Sequence, residues 1–380
     1  AASIEQTVYF DGLSETTDEF DIRLKVDPSL LALGVANNIQ IIAYNGPAIV
    51  DSRSLNSLLN LDLLTLLQGN QIASIPFAPN APADRITIRY SSLLNLQLTQ
   101  SLDLYDIVRV PKLPTITDPF TLNAIICSGT TASLVATTAP GNEIRWYNTA
   151  QGGVALGTVA SGVPFQTTQL NSDTVFYVAA AKIGCTEESR RVAVPVKVIA
   201  VPTAADINIP DTLTACQGNI TLSPTTSLGG ALIRYYTDQN KTQEITTGYT
   251  GDAGVTYVKD PVTGALTISG LNATDSPYSY FISLTSGGLC ENAASTLKEV
   301  TVNFSTVLSL QVQPAISGCG SVNLADAILN LSPSNTYIFF DASNTLITPE
   351  AASNITSSGT FYIQAQSANT SCSSDVLPVI

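Results

Sequence analysis

The sequence predicts an all-β protein, an N-terminal β-sandwich followed by a tandem array of three Ig-like β-sandwich modules. Three observations carry that expectation. First, a cysteine, an aromatic residue, a tyrosine and a second cysteine recur in fixed order: Cys127, Trp146, Tyr177, Cys185; then Cys216, Tyr235, Tyr280, Cys290; then Cys319, Tyr337, Tyr362, Cys372. Recurrence of this kind is the signature of stacked structural repeats. Second, the chain is rich in Val, Ile, Thr, Ser and Ala and holds only 12% charged residues, a composition suited to pleated, half-buried surfaces. Third, apolar and polar residues alternate with period two in several short runs, as half-buried strands require.

The boundaries follow from these runs and from the prolines between them. Residues 1–112 contain no cysteine and form the N-terminal β-sandwich. Phe20, Ile22, Leu24 and Val26 alternate with Asp21, Arg23 and Lys25, and Ile86, Ile88 and Tyr90 alternate with Arg85, Thr87 and Arg89. Residues 38–44 read as another strand, closed by the turn Asn45-Gly46-Pro47. The run Leu55–Leu67 fits either an amphipathic helix or a strand, and its strand neighbours favour a strand. Module 1 occupies 113–200, with strands expected at 132–137, 143–147, 174–180 and 191–198. Module 2 occupies 201–305 and ends on the alternating Val300, Val302 and Phe304. Module 3 occupies 306–380 and stops in what should be its last strand. Pro114, Pro119, Pro202, Pro210 and Pro314 stiffen the linkers, so the array is expected to behave as a jointed rod.

Charge and residue inventory exclude several functions. With 16 Lys and Arg against 30 Asp and Glu, the net charge of −14 repels phosphate backbones, so no nucleic-acid partner is expected. No apolar run reaches the ~20 residues of a membrane span, so no membrane insertion is expected. The chain has no histidine, which removes the commonest general base, and the cysteines are expected to be paired, which removes the thiol nucleophile. No enzymatic activity and no cofactor are predicted. The absence of methionine reads as a piece of a processed, larger polypeptide.

The repeat register favours three bonds within modules, Cys127–Cys185, Cys216–Cys290 and Cys319–Cys372. Each would stabilise its module by about 4 kcal/mol in the chain-entropy treatment and implies an oxidising compartment. Zinc is a poor alternative without histidine or a CxxC pair. Trp146 reads as a core residue, the alternative being a ligand platform. Asp11, Glu15 and Asp18 stand in an acidic loop that offers weak calcium candidates, against the reading of a solvated loop.

The stretch from Cys127 to Thr186, with its Cys-x-Gly-Thr-Thr-Ala-Ser-Leu start, Ile144-Arg145-Trp146-Tyr147, Thr174-Val175-Phe176-Tyr177-Val178 and Gly184-Cys185-Thr186, resembles the Ig-like repeats of very large secreted proteins of Bacteroidota. The N-terminal domain resembles non-Ig modules of the same proteins through Asn38–Ile41, Ser52–Leu55 and Asp84–Ile88. The second and third copies lack the tryptophan. The resemblance implies export by the type IX secretion system, an extracellular place at the cell surface, and membership of a giant adhesin of the gliding-motility kind. It also implies O-glycosylation at Asp-[Ser/Thr]-aliphatic sites, which Thr174 and Thr212 match. On this reading the segment is a non-catalytic stalk or adhesive region that projects binding regions from the cell. Its ligand is an unidentified surface or glycan, and secretion and anchoring machinery act through regions outside it. The alternative is a carbohydrate-binding accessory region of a secreted multidomain enzyme.

Overall fold

A computed structural model describes residues 2–32, 35–92, 101–251, 254–368 and 372–380. Strands dominate, and the chain divides into two compact units, Ala1–Val198 and Ile199–Ile380. The all-β class is as expected from the sequence.

The first unit holds two hydrophobic cores. The N-terminal core lies between a four-stranded sheet, in the order Ala2–Tyr9, Arg85–Ser92, Ile39–Asn45, Ala48–Ser54, and a three-stranded sheet, in the order Ala73–Phe77, Asp18–Val26, Leu102–Pro111. The period-two pattern is realised directly: Phe20, Ile22, Leu24 and Val26 are fully buried, and Arg23 between them is exposed. The leucine run departs from expectation. It forms two short helices, Leu55–Leu58 and Leu61–Gln68. Capping decides the outcome: the Ser54 hydroxyl accepts from the Ser57 N–H, and the Asn60 side chain accepts from the Leu63 N–H at 2.8 Å. Helical spacing then places Leu55 and Leu67 in the core and leaves Leu61 exposed.

The second core of this unit belongs to an Ig-like sandwich. Its larger sheet has the order Gly157–Ala160, Asn142–Tyr147, Thr174–Lys182, Val192–Ile199, Ala124–Cys127, and a two-stranded sheet, Phe165–Gln166 with Ser133–Leu134, covers it. Trp146, Ile144, Val178 and Leu134 are fully buried between the layers.

The second unit repeats the plan. One sheet has the order Thr212–Cys216, Lys298–Ser305, Tyr278–Ser286, Leu232–Tyr236, with Thr212–Cys216 parallel to its neighbour. A three-stranded sheet, Ile220–Leu222, Leu266–Ser269, Thr256–Lys259, closes the core. A smaller sandwich follows, built on Leu346–Ile347, Asn335–Phe340, Phe361–Ser367 and Leu377–Val379 around its own apolar cluster.

The pairing also corrects the aromatic register of the repeats. Trp146 faces Val178 and Tyr147 faces Tyr177. In the second sandwich Tyr235 faces Ile282 and Tyr236 faces Phe281, so Phe281 holds Tyr177's place, and Tyr280 points inward with 2% exposure. In the third sandwich Phe339 faces Ile363 and Phe340 faces Tyr362, so Phe339 occupies the tryptophan position two residues beyond Tyr337. Side chains alternate faces, and a one-residue slip therefore exchanges core for surface.

Candidate functional site at the sandwich poles

The strand registers place the two cysteines of every copy at opposite ends of its sandwich. Cys216 closes strand Thr212–Cys216 opposite Ser305, where the chain leaves the second sandwich. Cys290 pairs with Ser286, at the far end of strand Tyr278–Ser286. The strand between the two ends spans about 27 Å at the usual rise, whereas a disulfide needs Cα atoms within about 7 Å. In the first sandwich, residues just after Cys127 bond to Leu170 and Asn171, ahead of strand Thr174–Lys182, and Cys185 follows that strand's other end. In the third, the Ser367 N–H donates to the Cys372 carbonyl at the end of strand Phe361–Ser367, while the residues flanking Cys319 share a cavity with Phe361 at its start. Cys127, Cys216 and Cys319 thus mark the downstream poles, and Cys185, Cys290 and Cys372 the upstream poles.

The expected pairing within modules is therefore corrected. Cys216 is bonded to Cys372, with Cα atoms 5.5 Å apart. Cys127 and Cys290 are also disulfide-bonded, while Cys185 and Cys319 are free thiols and both are exposed. The bond Cys216–Cys372 ties the end at which the chain leaves one sandwich to the end at which it enters the next. The sequence shows which cysteines repeat, but it does not show that a whole strand separates the two members of each copy.

Trp146 is fully buried and stacks on Phe165 with ring centroids 5.4 Å apart, so it is core and presents no face to a ligand. Tyr235, also fully buried, donates to the Gly264 carbonyl at 2.8 Å. On the outer sheet face stands a polar group that sequence reading missed. The Tyr147 hydroxyl donates to Glu188, Arg191 bonds Glu188 at 2.8 Å, and its guanidinium lies 3.3 Å over the Tyr147 ring. The second sandwich repeats it: the Tyr236 hydroxyl donates to Glu291 at 2.8 Å, Ser283 donates to the same oxygen at 2.6 Å, and Lys241 stands 3.3 Å away. Burial raises the Glu291 pKa, but the bonds from Ser283 and Tyr236 and the charge of Lys241 outweigh it and hold the carboxyl below its ordinary value. Burial and the Glu291 carboxylate push the Tyr236 hydroxyl up to about 12. Only the tyrosines that follow Trp146 and Tyr235 signal this group in the sequence.

Two of the three calcium candidates, Glu15 and Asp18, have protein partners, and Asp11 is exposed. Asp18 is buried, accepts the Glu15 N–H at 2.9 Å and lies 3.1 Å from the Lys182 ammonium of the first sandwich, which also stands 3.8 Å from Glu15. A lysine fills the place a cation would take, and among the described residues no group of acids with Asp11, Glu15 and Asp18 is gathered as metal ligands. Glu19, next to Asp18, is pushed above its ordinary pKa by burial, although Arg190 stands 3.8 Å away. Thr212 is exposed at a strand start, and Thr174 is half-buried with its hydroxyl donating to the Ser172 carbonyl.

Residues 111–199 match the family described as Ig-like domain CHU_C associated, a Bacteroidetes-type domain. Structural likeness extends to Ig arrays. The titin tandem A164–A165 is 12% identical and covers 51% of this chain and 97% of its own at a TM-score of 0.19. Titin domains A168–A170 are 14% identical and cover 70% and 97% at 0.24. Extracellular domains 3–5 of Drosophila OTK are 13% identical and cover 71% and 86% at 0.22. No curated protein matches. Residues 111–199 carry an Ig-like domain, and the disulfides of the chain fit an extracellular protein. Among the described residues no helix is long and apolar enough to cross a membrane.

Proposed function

We propose that this chain is a non-catalytic stalk segment of a large secreted cell-surface adhesin of the Bacteroidota type. It is exported by type IX secretion and projects binding regions from the cell, as in gliding motility. The observation that carries the reading is the bond Cys216–Cys372, which spans the junction between two Ig-like sandwiches. A covalent tie there limits bending and unravelling where a stalk is weakest. The match of residues 111–199 to a Bacteroidetes-type Ig-like domain supports the source. Buried Trp146 removes the ligand platform considered for the first Ig-like sandwich. Residues 1–112, 113–200, 201–305 and 306–380 are the mechanical units of this reading, and Thr212, being accessible, is a better glycan acceptor than Thr174.

Single-molecule pulling of the whole chain tests it. The segment between Cys216 and Cys372 should contribute no extension until the bond is reduced, and then release roughly 500 Å of contour at about 3.3–3.6 Å per residue. A glycan-array screen should find no ligand whose binding depends on Trp146. Loss of glycan binding in Trp146→Ala with unchanged melting would overturn the stalk reading.

A further inference from the structure

The first and last strands of the second sandwich are neighbours and run the same way. Thr212–Cys216 pairs in parallel with Lys298–Ser305, from Thr212 opposite Thr301 to Cys216 opposite Ser305. Further bonds close the pair at both ends. At one end the Thr301 N–H donates to the Asp211 carbonyl at 2.8 Å, and the Lys298 ammonium pairs with the Asp211 carboxylate. At the other the Gln217 N–H donates to the Ser305 carbonyl at 3.1 Å. Ala215, Val300 and Val302 are fully buried and anchor both strands in the core. Tension that enters at Thr212 from upstream and leaves at Ser305 downstream draws these strands in opposite directions along their own axes. The evenly spaced ladder bonds then share the load and must break together. Pulled apart from one end, the same bonds open one at a time.

The disulfide changes the route of that tension. Cys216 is the last residue of the first strand, and its partner Cys372 lies 156 residues on, beyond the last strand of the second sandwich and strand Phe361–Ser367 of the third. With the bond intact, tension arriving at Thr212 runs along one strand to Cys216, crosses to Cys372 and leaves downstream. The stretch between the two cysteines becomes a slack branch, and Lys298–Ser305 is not pulled.

We propose that Cys216–Cys372 is a redox-controlled load switch: oxidised, it carries tension past the parallel pair; reduced, it places that pair under shear. The source of tension rests on the stalk reading, whereas the load path follows from connectivity and strand register. Cys216 is half-buried and Cys372 is buried, so a dithiol reductant attacks the Cys216 sulfur and expels the Cys372 thiolate, which takes up a proton. The second thiol of the reductant then displaces Cys216. Two protein thiols form as one dithiol becomes a cyclic disulfide. In an oxidising medium the second sandwich is spared the load. Under thiols the chain gains length, and the parallel pair becomes the element that resists it.

The test pulls the whole chain by its two ends, one molecule at a time. In dithiothreitol, and in Cys372→Ser without it, an unfolding event on the order of 300 Å should appear, the contour of residues 212–305 at about 3.3–3.6 Å per residue. The same Cys372→Ser chain is then pulled between its N-terminus and a handle clicked to an azide side chain at the exposed position 299. That geometry peels the pair from its Thr212 end and should need at most half the force. Asp211→Ala should lower the end-to-end force in dithiothreitol and leave the oxidised trace as it was. Equal forces in the two pulling directions would overturn the shear clamp, and an unchanged force in reduced Asp211→Ala would count against it. An oxidised trace altered by Asp211→Ala would overturn the bypass. Release of the whole stretch between the cysteines with no dependence on pulling direction would sink the switch and leave the stalk reading standing.

Discussion

The first two sandwiches and the third solve the same folding problem with different means. In the first and second, a tyrosine next to the core aromatic reaches outward to a glutamate that a cation also holds, Tyr147–Glu188–Arg191 and Tyr236–Glu291–Lys241. In the third the equivalent residue is the half-buried Phe340, which has no hydroxyl, and the tryptophan place is filled by Phe339. Among the described residues the third core is also the smallest, and it is tied to the second through Cys216–Cys372. The difference teaches that the covalent tie is common to the second and third sandwiches, whereas the polar strut is added only where a tyrosine follows the core aromatic.

The largest test of that comparison lies in the cores. Trp146→Ala should cost the first sandwich about 3–5 kcal/mol, and Phe339→Ala should cost the third a similar amount. Calorimetry should show each loss confined to its own transition. If Phe339→Ala leaves melting unchanged while Tyr337→Ala lowers it, the corrected register fails.

Removing the tie comes next. Cys372→Ser should destabilise the third sandwich by about 2–4 kcal/mol against guanidinium, and reductant should then have no further effect on it. Peptide mapping without reductant should recover Cys216 joined to Cys372; a Cys216–Cys290 peptide would restore pairing within modules.

A smaller effect sharpens the contrast between Trp146 and Tyr235. Tyr235→Phe leaves the Gly264 carbonyl without its donor and should cost about 0.5–1.5 kcal/mol. A neutral substitution would mean that the hydroxyl is dispensable and that the two aromatic positions are held by packing alone.

The smallest effect is that of pH on the strut. The Glu291 carboxyl lies below its ordinary value of 4.5 in the folded chain, so the unfolded chain binds more protons. Its contribution is fully present above about pH 4.5 and is lost as pH falls through the lower folded value. Glu291→Gln should flatten acid unfolding of the second sandwich, measured by fluorescence below pH 4.5. An unchanged acid limb would remove Glu291 from the strut.

The sequence by itself determined much of this protein. Alternation fixed which faces of Phe20–Val26 and Val300–Phe304 are buried, because the pleat has the same period as the pattern. Recurrent cysteines announced repeats, and the absence of histidine narrowed the chemistry. The described residues gather their buried side chains into four apolar clusters. Only the tertiary structure decided the rest. The helices at Leu55–Gln68 depended on Ser54 and Asn60 reaching backbone groups, a contest between caps and neighbouring strands that spacing cannot resolve. The aromatic register depended on cross-strand pairing, where Tyr280 and Phe281 are adjacent in sequence but face opposite ways. The cysteine partners depended on distance. Two cysteines of one repeat are near in sequence but lie at opposite ends of a strand, whereas Cys216 and Cys372, 156 residues apart, meet at a junction. A linear pattern records which residues recur; the length of a strand decides which of them can touch.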